Sequence, residues 1–435
     1  MIVQKYGGTS VGTAARMRDV LSIVTSTPDS KIVVLSAMSG TTNDLVTYND
    51  LLRSDLTGAS AHLELLRERY NRVIREIGFL EKIGNAADRV VEDTFSQLSS
   101  CLHQPLTEQI EKANLAVGEL LSTQLFHLLC QSEGHASELL PALDFMRIDE
   151  GHEPDIPLTQ KLLAAAIKAK PSVSIFITQG YICRDHQGHI DNLQRGGSDY
   201  TATIIGAAIQ AKEIQIWTDI DGVHNNDPRL VDDTAPIRQM SYREAAELAY
   251  FGAKILHPTC VLPAERMQVP LRLKHTMNPN APGTLISDQT SQRAITAIAA
   301  KDGITAIKIY SHRMLMAYGF LRKVFQVFED HETPVDMITT SEVAVSVTID
   351  DISRLDDITM ALSDLGEVQA TGGYSIICIV GNSLYDDGQH LNAIFGALKD
   401  IPTRMISLGG SRYNVSILLK TEYKKDALIR LNGIF

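Results

Sequence analysis

Short apolar runs at residues 32–37, 173–178, 214–218 and 270–274 alternate with helical stretches, and this rhythm, kept from Ile2 to about Asp288, limits the possible folds more than any other feature. An apolar run of this length buries both faces of a strand, and strands separated by helices join in parallel through crossovers that lay the helices on the sheet. The expected architecture is an α/β fold with a mainly parallel sheet sandwiched by helices. Residues 59–134 depart from the rhythm. There Leu65, Leu66, Tyr70, Val73, Ile74 and Ile77 recur at helical spacing with Arg and Glu on the other faces, which reads as a helical insertion or side layer.

Residues 278–291, rich in Pro, Gly, Asn, Ser and Thr, separate two regions of different pattern, so one domain is expected over 1–290 and another over 291–435. In the second, a strand at 304–309, a helix at 319–331, strands at 335–339 and 343–349 and a helix at 355–365 follow as β-α-β-β-α. The order returns with a strand at 375–380, a helix at 391–398, strands at 405–409 and 415–419 and a terminal helix from Lys424. Two ferredoxin-like βαββαβ units in tandem are the simplest account. Units of this kind commonly bind regulators.

The sequence has no run of about 18 apolar residues, the length a membrane span needs. Its N-terminus lacks the basic and apolar regions of a leader, so a cytoplasmic location with no membrane partner is expected. Five widely spaced cysteines without a C-x-x-C pair argue against a disulfide framework or a zinc site. A net charge of −12 repels nucleic acid, so any bound anion needs a local cluster of donors.

Four segments offer such donors. KYGGTSVG (residues 5–12) follows the first strand; Gly7 and Gly8 let backbone N–H groups approach an anion, and Lys5 adds a charge beside them. LSAMSGTTND (35–44) ends a buried strand in Ser36, Ser39, Gly40, Thr41 and Thr42, at the edge where ligands of open α/β sheets bind. QRGGSDYTA (194–202) sets the planar fork of Arg195 beside two glycines, with Ser198 and Asp199 opening a helix. IWTDIDGVHNNDPR (216–229) ends another strand at Thr218 and Asp219 and reaches Arg229. Lys254, in FGAKILHP (251–258), is a candidate second cation. Neither G-x-x-x-x-G-K-[ST] nor G-x-G-x-x-G occurs. Phosphoryl transfer is the reaction these segments suit best, because it needs positive charge and N–H donors rather than covalent help.

With these motifs in this order, together with GELLSTQLF (118–126), ITQGYI (177–182), EAAELAYFGAKILHP (244–258), GFLRKVF (319–325) and VDMITTSEVAVSVTID (335–350), the chain resembles the aspartate kinases of the amino-acid kinase family nearly end to end. The resemblance implies ATP- and Mg2+-dependent phosphorylation of the L-aspartate side-chain carboxylate to 4-phospho-L-aspartate, the first step towards lysine, threonine and methionine. By motif position, Lys5 would stabilise the transferring group with Gly7 and Gly8, Lys254 would act from the nucleotide side, and Asp199 would hold the lysines. Aspartate would be held by Thr42, Glu119, Tyr181, Arg195 and Ser198, with Arg195 facing a carboxylate and Glu119 the α-ammonium. Helical spacing alone would read Glu119 as exposed. ATP would be held by Ser36, Thr218, Asp219, His224, Arg229 and Lys254.

The C-terminal repeats resemble ACT units of the lysine-sensitive class. Carried over for the effector are Met314, Gly319, Phe320, Leu321, Val335, Asp336, Thr340, Ser341 and Glu342, with Asp336 suited to an ε-ammonium. A homodimer or homotetramer through these units is implied. Three departures stand out: His224 replaces a usual tyrosine, Gln194 a glycine, and Ala317 a serine of the effector site.

Overall fold

The computed structural model describes residues 1–193, 196–252, 256–290, 293–314, 318–382, 384 and 386–435. They fall into two compact units, Met1–Val223 with Leu256–Gln289, and His224–Ile255 with Thr290–Phe435.

The first unit opens with β1 (Ile2–Tyr6), α1 (Ala14–Thr25), β2 (Lys31–Leu35), α2 (Thr41–Ser54), α3 (Leu56–Ile77), α4 (Glu81–Ser100) and α5 (Glu108–Ser132). Next come β3 (Glu138–Leu139), α6 (Ala142–Phe145), α7 (Ile156–Lys168), β4 (Ile175–Gln179), the hairpin of β5 (Ile182–Arg184) and β6 (Ile190–Asn192), α8 (Gly197–Ala208) and β7 (Ile214–Thr218). After β8 (Gln239–Ser241) and α9 (Tyr242–Tyr250) of the second unit, α10 (Pro258–Met267), β9 (Leu271–His275) and β10 (Thr284–Ser287) complete it. The sheet runs β3-β4-β2-β1-β7-β9-β10, parallel except for β10 on β9.

Register decides where ligands can sit. Tyr6 lies opposite Leu35 and Trp217, and Leu35 opposite Gln179, so β1, β2, β4 and β7 end at one edge and deliver their loops there. Every residue of β2 is buried, as its apolar run requires. Even Lys31 is inside, its ammonium donating to the carbonyls of Val24 and Thr27 and to the Thr27 hydroxyl.

The helical layer is present as α3, α4 and α5. Leu63, Leu66, Tyr70, Val73, Ile74 and Ile77 of α3 pack with Phe95 of α4 and Leu125 of α5. Leu65, expected on the apolar stripe, is one position off it and 73% exposed.

The second unit adds β11 (Ile295–Tyr310), α11 (Phe320–Asp330), β12 (Ile338–Thr340), β13 (Ala344–Ile349), α12 (Leu355–Ser363), β14 (Glu367–Gly381), α13 (Gly388–Ala397), β15 (Thr403–Leu408), β16 (Asn414–Lys420) and α14 (Lys424–Asn432). One antiparallel sheet runs β12-β13-β11-β14-β16-β15. β11 and β14 are 16 and 15 residues long, far beyond the expected 304–309 and 375–380. Their polar and glycine breaks, Lys301–Asp302–Gly303 and Gly372–Gly373, end the apolar runs without ending the strands; β11 absorbs its break as register shifts after Lys301.

Each ferredoxin-like unit keeps its own core. Ile307, Ile309, Phe320, Val324, Val345 and Ile358 form one. Ile298, Ile377, Ile379, Ile394, Ile417 and Leu428 form the other. The front half of β11 serves the second core and its back half the first, so the first ferredoxin-like unit lies in sequence between strands of the second ferredoxin-like unit.

Residues 224–255, expected within the first domain, join the second unit instead. Val231 enters the core with Ile377, the Ile298 N–H donates to the Asn225 carbonyl at 2.8 Å, and Asn226 Nδ2 donates to the Leu428 carbonyl at 2.9 Å. Thr296 Oγ1 donates to Glu244, the N3 residue of a capping box begun by Ser241 at the head of α9. The expected boundary rested on a Pro/Gly-rich linker, and a linker says nothing of an earlier excursion. Among the described residues no helix is long and apolar enough to cross a membrane.

Candidate active site

The loop after β1 begins at Gly7 and turns through a short 3-10 segment, Gly8–Ser10. A Cβ on Gly8 would lie 2.8 Å from the Ala37 carbonyl oxygen, too close for any side chain. The Ser39 N–H donates to the Gly8 carbonyl at 3.2 Å, so the loops after β1 and β2 are joined. Lys5, its side chain 12% exposed, pairs with Asp199 at 2.7 Å, and its ammonium lies 3.5 Å from where a Gly7 Cβ would stand. The charge therefore sits against the glycine turn.

Asp199 lies in the first turn of α8, whose N-cap is Gly196. Gly196 and Gly197 have φ of +76° and +38°, left-handed values that favour glycine. A Cβ on Gly196 would strike the Cys260 sulfur at 2.3 Å. The positive end of α8 thus opens beside the Lys5–Asp199 pair. Ser198 accepts a hydrogen bond from Ser36 at 2.9 Å, and Tyr181 takes a left-handed φ of +68°, held by its N–H on Thr201 Oγ1 at 2.8 Å. Such a conformation costs a non-glycine residue about 1–3 kcal/mol and persists only where its surroundings fix it.

These residues border a cavity of about 290 Å³, lined by Gly8, Ser36, Thr42, Glu119, Tyr181 and Ser198 among others. Glu119, on α5, is 3% exposed. Its Oε1 accepts the Ala37 N–H at 3.1 Å, while Oε2 has no hydrogen-bond partner among the described residues. Burial pushes its carboxyl up to about 7, the Ala37 N–H pulling the other way. Once ionised, so buried a carboxylate is best compensated by a cation. The signal that could have found it is Gly118, whose Cβ would meet the Ala37 side chain at 2.7 Å, with Ser122 and Thr123 just beyond: small residues on a helix packed on all sides.

Lys5, Gly7, Gly8, Ser36, Thr42, Glu119, Tyr181, Ser198 and Asp199 are thus brought together in the first unit. Thr218 ends the neighbouring β7, and its hydroxyl donates to Asp219, the next residue, at 3.1 Å. His224 and Arg229 belong to the second unit. There His224 Nδ1 bonds Thr234 Oγ1 at 2.9 Å, and Arg229 grips Asp227 through two hydrogen bonds of 2.8 and 2.9 Å with its side chain 77% exposed. Gln194, Arg195, Lys254 and Ala317 lie outside the described residues.

Of the effector candidates, Met314 and Val335 pack on the core that contains Phe320, and Gly319 (φ +80°) caps α11. Leu321 is exposed, Thr340 ends β12, and Ser341 and Glu342 lie in the turn to β13, closed by the Ser341 N–H on the Ala344 carbonyl at 2.8 Å. Asp336 is engaged already: Lys301 pairs with it at 2.7 Å, and the Tyr250 hydroxyl donates to it at 3.2 Å.

Residues 1–275 match the amino acid kinase family. The whole chain aligns at 32% identity with 98% of the lysine-sensitive aspartokinase 3 of Escherichia coli, and at 33% with 84% of the chloroplastic aspartokinase 2 of Arabidopsis thaliana. A crystal structure of E. coli aspartokinase III in complex with aspartate and ADP superposes with a TM-score of 0.86 at 31% identity, covering all of this chain and 99% of that one. The chain belongs to the aspartokinases of the amino acid kinase family.

Proposed function

We propose that the first unit transfers the γ-phosphoryl group of ATP to the side-chain carboxylate of L-aspartate, giving 4-phospho-L-aspartate and ADP, and that lysine feeds back on the reaction through the ACT units. The observation that carries this reading is the Lys5–Asp199 pair against a glycine turn, beside a cavity whose buried Glu119 has one oxygen without a partner among the described residues. Aspartate brings the matching ammonium. Its acceptor carboxylate is ionised at neutral pH and needs no general base, so the protein's task is to position and to neutralise charge.

In this reading Lys5 and the N–H groups of Gly7 and Gly8 receive the charge of the transferring group, and Asp199 fixes the lysine rather than attacking. Glu119 takes the α-ammonium, Arg195 a carboxylate, and Thr42, Tyr181 and Ser198 complete the acceptor site. Ser36, Thr218, Asp219, His224, Arg229 and Lys254 serve the nucleotide. Mg2+, which binds mainly through substrate phosphates and one or two carboxylates, would neutralise phosphate charge there, with Asp219, in the loop after β7, a carboxylate that would hold it. Asp336, with Met314, Gly319, Phe320, Leu321, Val335, Thr340, Ser341 and Glu342, would hold lysine. A cytoplasmic location and a homodimer or homotetramer through the ACT units belong to the same proposal. The E. coli relative, named lysine-sensitive and crystallised with aspartate and ADP, supports the substrate, nucleotide and effector of this reading.

The test is ADP release from ATP with aspartate, glutamate, acetylglutamate and UMP as acceptors, each with and without lysine. Aspartate should be preferred and lysine should inhibit. Preference for another acceptor would reject the substrate, and indifference to lysine the effector.

A further inference from the structure

Lys301 stands at the point where β11 loses register, and its ammonium lies 2.7 Å from Asp336 and 2.7 Å from Asp350. It also sits over the Tyr250 ring, 5.1 Å from the centroid. The Asp336 side chain is 2% exposed, and its Oδ2 has no hydrogen-bond partner among the described residues. Asp350 is far more open, with its side chain 36% exposed.

The effector reading above, on which this inference rests, assigns Asp336 to the ammonium at the end of a free lysine. A primary ammonium on a four-carbon stem is already there, supplied by the chain itself. The two cations are chemically alike, and one is tethered, so the tethered one competes at high local concentration. We propose that Lys301 is a tethered competitor for Asp336 that weakens effector binding, and that Tyr250 registers the exchange.

The geometry makes the exchange feasible. Lys301 can leave Asp336 and keep its pair with Asp350, so neither side strands a buried charge. Tyr250 touches both partners, donating its hydroxyl to Asp336 and lying under Lys301. It is the last residue of α9 and stands four positions before Lys254 in the sequence. An incoming cation therefore alters the contacts of the residue that ends the segment leading to a nucleotide-side lysine. A ligand acts only through such a difference between two states.

Calorimetric titration of L-lysine into the full-length chain tests the proposal, with wild type, Lys301→Gln, Lys301→Arg and Tyr250→Phe compared. Lys301→Gln should bind lysine at least about tenfold more tightly, whereas Lys301→Arg, which keeps a cation on Asp336, should stay near wild type. Tyr250→Phe should bind lysine comparably yet be inhibited less at saturation. If Lys301→Gln proves unstable, Lys301→Gln/Asp350→Asn removes the second uncompensated charge and should show the same gain. Unchanged or weaker binding in folded Lys301→Gln, or in that double variant, would overturn the competition while leaving lysine as effector. Absence of lysine binding in every form would overturn the effector reading and the competition together.

Discussion

Glu119 is where burial and chemistry meet most sharply in a single residue. Its carboxyl is raised from 4.5 to about 7 by burial. Between those values the folded chain holds a proton that the unfolded chain releases, so stability falls as pH rises through this window, by about 3 kcal/mol once pH exceeds 7. An ammonium bound at Oε2 favours the charged form, so aspartate binding should tighten as pH rises towards and through 7. Glu119→Gln removes both effects. Its melting temperature without ligand should exceed wild type at pH 8 and match it near pH 4.5, while its KM for aspartate rises at least about tenfold, the scale expected for losing a charged hydrogen bond of about 1.5–3 kcal/mol. Thermal melts and steady-state kinetics at both pH values check this.

Among the elements, α3 gains a role that its sequence pattern does not announce. Tyr70 and Arg69 converge on Thr41 Oγ1 at 3.0 and 2.9 Å, and Arg69 also pairs with Asp44 at 2.7 Å. Gly40, the N-cap just before Thr41, has φ +84° and a would-be Cβ 3.3 Å from the Arg69 guanidinium. The helical layer thereby pins the start of α2, where Thr42 lines the cavity. Arg69→Ala and Tyr70→Phe should each raise KM for aspartate several-fold with kcat within about twofold, and Arg69→Lys should recover part of the loss; equal falls in kcat and kcat/KM would instead mark a transition-state role.

Elements also show what the sequence made legible. The strands of the first unit were visible because buried strands are short apolar runs closed by glycine turns, and the same turns exposed the loops of Lys5, Ser36 and Ser198. The apolar rhythm hid the lengths of β11 and β14, since Lys301–Asp302–Gly303 and Gly372–Gly373 look like stops. It hid Glu119 too, because a charged residue in a helix reads as solvent-facing unless its neighbours are known to be packed on all sides.

At the scale of the whole molecule, a segment continuous with the kinase motifs folds with the regulatory sheet. Residues 224–255 carry His224 and Arg229 and fall within the amino acid kinase match, yet they belong to the second compact unit. Asn226, 3% exposed, fastens them through the Leu428 carbonyl and Asn432. Asn226→Ala should lower stability by about 1–3 kcal/mol, the cost of losing two hydrogen bonds from a buried side chain. If the segment serves the nucleotide, the same change should raise KM for ATP more than KM for aspartate, which initial rates over both substrates will show. Lysine at 100 times its Kd should stabilise the full chain by about 2.7 kcal/mol through mass action, visible as a higher melting temperature.

The measurement that bears most directly on the phosphoryl-transfer site is trapping of the acyl phosphate with hydroxylamine. Wild type given ATP, Mg2+ and aspartate should form aspartyl hydroxamate, and folded Lys5→Ala should form it about 10²–10³-fold more slowly, as removal of one transition-state donor does. Hydroxamate at the wild-type rate from Lys5→Ala, or none from the folded wild type, would contradict the site.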